Sequence, residues 1–556
     1  MKRSTVNGSK STGADAIQEA LTRTNAAQSA AADPQASVWV NANAGTGKTH
    51  VLTQRVLRLL LSGTKPERIL CLTYTKAAAA EMSKRVFDTL GTWVTETDEE
   101  LTGKLKDLTG TEPDDALVSL ARTLFTSAIE TPGGLKVQTI HAFAERLLQR
   151  FPLEAGLPPG FGILDDVKAR ELKERAIAGM LEDATASPAS PLGKSLALVI
   201  RYAADQSFDE LLTKMMAERS WLIAASRLDL GKAKDDFKAA EALLARTFGA
   251  DLKRKRDDIV EARAGVLPDE DLGALRDHLS GGGKTDLAYA DLLSQAAKAA
   301  TSEARADCLA QYFMSELGKS GEKPREKLMS KGLGEARADL LATAEEAQAR
   351  FSSLTVQLQA LTLIEATGAL YRLAGHALQY YTDSKRAAGT LDFDDLIERT
   401  MSLLATSSSA DWVLYKLDGG LDHILVDEAQ DTSPEQWAII AALGQEFFSG
   451  SSARDGIRTI FAVGDEKQSI YSFQGAAPEK FAEMGRRFAG VTLNAGLTFR
   501  SLPLNLSFRS AAPVLDAVDR IFADTSRTRG VGTESGAINH VAKRFGQAGL
   551  VEIWPT

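Results

Sequence analysis

Val38-Trp39-Val40-Asn41-Ala42-Asn43-Ala44-Gly45-Thr46-Gly47-Lys48-Thr49 decides the fold class of this chain. An apolar, strand-like run (residues 38–40) enters a turn, and a helical pattern leaves it through Val51, Leu52, Val56, Leu59 and Leu60 until Gly63 offers a stop. Strand, loop and helix therefore follow one another in the order a phosphate-binding loop needs. Gly45 and Gly47 let backbone N–H groups curl around phosphate oxygens, Lys48 supplies a point charge for β- and γ-phosphates, and the Thr49 hydroxyl can ligate Mg²⁺. Ala42, Asn43, Ala44, Thr46 and His50 complete the candidate nucleotide-binding segment. The usual first glycine of the G-x-x-x-x-G-K-[ST] pattern is here Ala42, small enough to fit, so the loop reads as a subclass variant.

A second stretch, Ile424-Leu425-Val426-Asp427-Glu428-Ala429-Gln430-Asp431, sets two carboxylates and a glutamine at the end of an apolar strand-like segment. An acid at the mouth of a buried strand can hold Mg²⁺, its neighbour can polarise an attacking water, and the nearby amide can sense a phosphate. An acidic strand-to-helix turn has the same composition, and it is the phosphate-binding loop upstream that favours the nucleotide reading. Gly281-Gly282-Gly283-Lys284-Thr285 also spells G-K-T, but the charged residues before it are not strand-like, so a flexible loop is expected there.

The chain has 556 residues, enough for about three or four domains of ordinary size, and 44% are hydrophobic. No apolar run approaches the ~18 residues of a membrane span, and the Ser/Thr/Gly/Lys-rich start lacks the apolar core of a secretory signal. A disordered tail over residues 1–20 and a cytoplasmic location are expected. Cys71 and Cys308 are too few for a disulfide framework. A net charge of −9 gives no global signal for nucleic acid, so any such binding must use local patches. The run Lys253-Arg254-Lys255-Arg256 is followed at once by Asp257 and Asp258 and reads as a solvated helix face.

Apolar segments at residues 38–40, 69–72, 424–426 and 460–463 each precede a polar motif, which is the pattern of a parallel sheet with ligands at its carboxyl edge. Between them, Ala/Leu/Glu/Lys-rich sequence with helical periodicity points to an inserted helical domain. The expected fold is α/β: a RecA-like P-loop NTPase sheet domain (residues 21–163 and 387–490), a large helical insert (164–386) and an incomplete second RecA-like domain (491–556).

Leu72-Thr73-Tyr74-Thr75-Lys76 places an aromatic, hydroxyls and a lysine where a strand turns into an alanine-rich helix, suiting a nucleic-acid backbone; Thr75 as a helix cap with Tyr74 in the core is the alternative. Val137-Gln138-Thr139-Ile140-His141 offers a similar set after Gly133-Gly134, and His141 could equally be a buried, satisfied histidine. Val463-Gly464-Asp465-Glu466-Lys467-Gln468-Ser469-Ile470-Tyr471-Ser472-Phe473-Gln474-Gly475-Ala476 combines a strand end, the phosphate-reaching Gln468 and two rings on which bases could stack, Tyr471 and Phe473.

Taken together, these segments resemble superfamily 1 DNA helicases of the UvrD/Rep type, and within them the Trp39 to Gly45 stretch, the Phe473-Gln474-Gly475-Ala476 variant and the Asp33-Pro34 entry look most like the AddA component of bacterial AddAB helicase-nucleases. The resemblance implies ATP and Mg²⁺ as cofactors. It makes Gln28 the reader of adenine, Lys48 and Thr49 the holders of phosphate and metal, Asp427 a Mg²⁺ ligand and Glu428 the base for water. Gln468 would contact the γ-phosphate and Arg509 would be the arginine reaching across from the second motor domain. Thr73, Tyr74, Thr75, Lys76, Thr139, His141, Tyr471 and Phe473 fall where the family binds single-stranded DNA. Leu391-Asp392-Phe393-Asp394-Asp395-Leu396 matches a segment re-entering the first motor domain, where the acids could simply cap a helix. Gln474 stands where UvrD-like members commonly carry arginine.

Later motor motifs, a second catalytic arginine among them, and a nuclease domain have no counterpart before Thr556. An N-terminal portion is therefore expected, one that binds ATP better than it hydrolyses it, because a transition-state arginine is worth on the order of 10³ to 10⁵ in rate. The implied function of the intact protein is a 3′-to-5′ ATP-dependent translocase on single-stranded and duplex-end DNA in double-strand break repair and recombination, with no membrane association and with a partner of the AddB type. The competing reading is an ATP-dependent DNA-binding scaffold with a vestigial motor, against which the intact Lys48, Asp427, Glu428, Gln468 and Arg509 argue. A P-loop kinase or signalling GTPase would need a guanine-reading or acceptor motif that the chain lacks.

Overall fold

In the computed structural model the described residues are 11–131, 134–203, 206–217, 219, 222, 238–316, 322–405, 409–418, 420–448, 456–470, 475–527, 540–544, 546–552 and 554. They form two compact units, residues 1–163 with 391–556, and residues 164–390.

The first unit is built on six parallel strands: β1 (Ser37–Ala42), β2 (Ile69–Thr73), β3 (Lys136–Thr139), β4 (His423–Val426), β5 (Thr459–Gly464) and β6 (Phe499–Leu504). They lie in the order β6-β1-β5-β4-β2-β3. The strands read as almost unbroken apolar runs because helices cover both faces. The period of two still divides them. Val38, Val40, Ile69, Cys71, Leu425, Phe461 and Val463 enter one core, with helices α2 (Lys48–Leu61), α3 (Lys76–Thr95), α4 (Asp98–Thr109) and α5 (Asp115–Glu130). Trp39, Leu70, Leu72, Ile424, Val426, Ile460 and Ala462 enter the other, against α6 (Ile140–Arg150) and the helices Phe393–Ala405, Ala410–Asp418, Pro434–Phe448 and Pro478–Asn494. Trp39 anchors that second core, its ring stacked on Trp437, Phe481 and Phe488 at 5.6, 5.0 and 6.2 Å. Helix Pro478–Asn494 passes over it at Gly485, where a Cβ would stand 2.9 Å from Trp39 Nε1.

In the second unit the 51-residue helix Ala338–Ala388 carries two apolar clusters. Its later part packs against Asp166–Ala186, Pro191–Val199 and Gln206–Ala217; its earlier part packs against Asp269–Leu279, Lys284–Lys298 and Ser302–Phe313. Gly389, at φ 60°, caps it with a left-handed residue. No helix among the described residues is long and apolar enough to cross a membrane.

Several expectations change. Residues 11–20 are not a disordered tail but the first half of the helix Ser11–Ala31. The boundary expected at 386/387 falls inside the last turn of the long helix. The one expected at 490/491 falls inside helix Pro478–Asn494, and the strand after it, β6, completes the first sheet by pairing with β1 from Ser37↔Phe499 to Ala42↔Leu504. Pro503 is tolerated there because β6 is an edge strand. The decoy Gly281-Gly282-Gly283-Lys284-Thr285 opens the helix Lys284–Lys298, and buried Asp286 accepts the N–H of Gly283 at 3.0 Å, so it is a capped helix start and not a flexible loop. The basic run is exposed, but it precedes a helix: Arg256 begins Arg256–Ala264 and Lys255 is its N-cap.

Candidate functional site

The phosphate-binding loop leaves β1 at its carboxyl end. Ala42 is the buried last residue of the strand, and Asn43 donates its N–H to Leu504 O at 3.0 Å. Thr46 Oγ1 closes the turn on Asn43 O at 2.8 Å. Gly45 and Gly47 take φ of 73° and 88°, which only glycine adopts without strain. Gly47 is the N-cap of α2 and supplies no side chain to its first N–H groups, so that helix start keeps free donors for an anion.

The two neighbours on the far side of β1, β5 and then β4, bring the acidic motifs to the same edge. Lys48 Nζ meets Glu428 Oε2 at 2.8 Å across 380 residues of sequence. Glu428 is held with φ 45°, the one left-handed non-glycine residue among those described. Gln430, fully buried, donates from Nε2 to the same Glu428 oxygen at 2.9 Å and accepts the Asp465 N–H on Oε1 at 2.9 Å. Gln468 Nε2 then donates to Asp465 Oδ2 at 2.5 Å. Asp427 continues β4, its N–H on Leu72 O at 2.9 Å. Burial and, after it, the charge of Glu428 push its carboxyl up to about 6.

Gln28 lies against the loop, donating to Thr46 O at 3.1 Å, close enough that a Cβ on Gly47 would stand 3.2 Å from its Nε2. The strand carrying Arg509 (Leu506–Ala511) crosses on the other flank: Phe508 donates its N–H to Gly45 O at 2.8 Å, and a Cβ on Gly45 would stand 2.6 Å from Arg509 Cβ. Thr49 lies in the first turn of α2 and His50 beside it is exposed.

The residues assigned to DNA occupy the next strands along. Thr73 and Thr139 are register partners at the ends of β2 and β3. Thr75 caps α3 by accepting Ala78 N–H at 3.1 Å, Thr139 caps α6 through Ala142 N–H at 3.2 Å, and Lys76 is exposed at the start of α3. Thr73, Tyr74 and His141 line one cleft together with Asp427, Thr432 and Gln436. Burial holds the His141 imidazole below its ordinary range, against an opposing pull from Asp394, and its ring packs edge-on to Phe393 at 5.6 Å. Asp392 and Asp395 cap helix Phe393–Ala405 reciprocally, each side chain accepting the other's N–H at 2.8 and 3.0 Å. Tyr471, Phe473 and Gln474 lie outside the described residues.

Two buried polar groups escaped the sequence reading. Asp465 looked like one acid among several in its loop, and only its position directly after the strand-ending Gly464 could have marked it. Arg55 sits among the leucines of α2, yet its buried guanidinium donates to Ala31 O, Asp33 O, Ala36 O and Thr459 Oγ1 at 3.0, 2.8, 2.6 and 2.9 Å.

A parallel sheet whose central strands end in a glycine-rich loop with lysine and in an acid pair that meets it defines a RecA-like P-loop nucleotide-binding fold. The chain belongs to the UvrD/Rep helicase family, whose N-terminal domain profile matches residues 23–489. Its relatives include an ATP-dependent helicase/nuclease component of Desulfitobacterium hafniense, 27% identical over 525 residues, covering 89% of this chain and 35% of the relative. The protein of the same name from Enterococcus faecalis is 25% identical over 552 residues, covering 93% and 40%, and that from Bacillus cytotoxicus is 26% identical over 538 residues, covering 91% and 39%. The chain thus spans between 35% and 40% of the length of these relatives.

Proposed function

We propose that this chain carries the nucleotide-binding motor region of an ATP-driven DNA helicase that moves 3′ to 5′ along single-stranded DNA in double-strand break repair and recombination. The observation that carries the reading is the 2.8 Å contact of Lys48 Nζ with Glu428 Oε2, with Asp427 beside it at the carboxyl edge of the sheet. A triphosphate arriving at Lys48 competes with Glu428 for the ammonium and releases that carboxylate to polarise a water. Gln468 meets the γ-phosphate, Gln28 reads the adenine, and Arg509 lies against the loop where charge develops.

Asp427 and Thr49 would hold Mg²⁺. The donor set suits that ion, which takes one or two protein oxygens and completes its shell with phosphate and water. The Asp427 carboxyl, raised to about 6 by burial, is also short of a compensating cation. Bound there, magnesium would supply charge neutralisation on the phosphate oxygens.

On the DNA side, Tyr74 and His141 border the cleft that also touches Asp427, which supports coupling between nucleotide and strand. Thr73, Thr75, Lys76, Thr139, Tyr471 and Phe473 complete the proposed strand contact. The names of the relatives support assembly with an AddB-type partner in a helicase-nuclease.

The test is ATP turnover with and without single-stranded DNA. Stimulation by DNA, lost in Lys48→Ala and Glu428→Gln, is expected; turnover indifferent to DNA would remove the motor reading. Log affinity for the strand should fall with log salt at about −0.7 per phosphate contact, and a flat response would count against strand binding.

A further inference from the structure

The hydrogen bonds that run from Glu428 through Gln430 end on Asp465, an acid to which the nucleotide reading gives no task. Asp465 is 1% exposed, and its two carboxylate oxygens do different things. Oδ1 accepts the N–H of Lys467 at 3.2 Å, capping the short turn Glu466–Gln468, and pairs with Lys467 Nζ at 3.1 Å. Oδ2 accepts Gln468 Nε2 at 2.5 Å. The backbone of Asp465 is itself fixed by Gln430 Oε1. The surroundings leave no slack: a Cβ on Gly464 would stand 2.8 Å from Gln430 Oε1 and 3.3 Å from a ring carbon of Phe481.

We infer that Asp465 is the positioning residue for Gln468, holding the phosphate-facing amide in one orientation and joining it through Gln430 to Glu428. A glutamine side chain has three free torsions and an amide whose two ends are nearly the same shape, so an unrestrained one presents donor or acceptor at random. A carboxylate can only accept. Its contact therefore selects the NH₂ end, fixes the last torsion, and leaves the second N–H of Nε2 and the Oε1 lone pairs for groups in the site. The entropy of ordering that side chain is then lost on folding and not on nucleotide binding. Because Gln430 bonds both Glu428 and the Asp465 backbone, the water-facing carboxylate and the phosphate-facing amide are two ends of one rigid unit. This inference rests on the reading that Gln468 meets a γ-phosphate.

The test uses the full chain and compares its affinity for ADP with that for a non-hydrolysable ATP analogue, both with Mg²⁺. Asp465→Ser keeps a cap oxygen for the Lys467 N–H but is too short to reach Gln468, and Asp465→Asn keeps the volume while presenting an amide. Each should lower the preference for triphosphate over diphosphate by about tenfold, and neither should lower it further in a Gln468→Ala background. Equal losses in both backgrounds, or an unchanged preference in the Asp465 variants, would overturn the inference and leave the nucleotide site standing. Should Asp465→Asn lose its cooperative melt, Asp465→Ser decides by the same comparison. A wild-type chain that binds neither nucleotide would remove the nucleotide reading and this inference with it.

Discussion

Glu428 is where local backbone preference and chemistry oppose each other. A left-handed conformation costs a non-glycine residue about 1 kcal/mol or more, and here it is maintained by Lys48 and Gln430 on the side chain and by Asp431 N–H on the carbonyl at 2.9 Å. Glu428→Gln leaves that backbone intact and removes the base. Turnover should drop by at least about 10²-fold while nucleotide still binds, which rapid-quench assays and equilibrium titration separate. Gly45 presents the opposite case. A methyl group there would meet Arg509 Cβ at 2.6 Å and Ser507 Oγ at 2.9 Å from a backbone already at φ 73°. Gly45→Ala should lower nucleotide affinity at least about tenfold and reduce the melting temperature by several degrees, read by titration and calorimetry.

At the level of elements, what matters is how helices and strands are tied where the site needs them. Thr139 ends β3 and caps α6, so one hydroxyl fixes the turn that presents His141. Thr139→Ala should cost about 1 kcal/mol in urea unfolding and Thr139→Ser almost nothing, a difference that a DNA contact alone would not produce in the absence of DNA. Arg55 ties helix α2 to the segment before β1 and to Thr459 on β5. Burial pushes its guanidinium down to about 9, an unusual setting that persists because the oxygens around it have no other donor of that reach. Arg55→Met would strand several buried acceptors and should destabilise the fold by about 3 kcal/mol or more in the same assay.

For the molecule as a whole, pH is a direct handle. His423 is buried at the start of β4, with Nδ1 2.8 Å from Thr459 Oγ1, and burial followed by the charge of Arg55 pushes its imidazole down to about 3 from 6.5. The unfolded chain takes this proton near 6.5 and the folded chain only near 3, so the contribution is complete above 6.5 and is lost as pH falls. The loss approaches about 1.4 kcal/mol per pH unit inside that window, and His423→Gln should flatten it, as urea midpoints between pH 5 and 7 would show. The second unit offers a separate check. Its two apolar clusters are its own, and a 164–390 fragment should melt cooperatively as a helical domain, followed by circular dichroism.

The sequence by itself determined the α/β class, the phosphate-binding loop and the acid pair, because each is a local pattern: an apolar run of strand length, glycines where φ turns positive, charges directly after a strand. It also marked the helical insert by composition. It could not show that the strand after residue 498 closes the first sheet, since β6 carries Pro503 and polar residues typical of an edge. Nor could it show that Lys48 and Glu428 touch, that Asp465 holds Gln468, or that Arg55 and His423 share Thr459. Those contacts join residues by strand order and burial, and a buried polar group finds its partners only after the chain has excluded water around it.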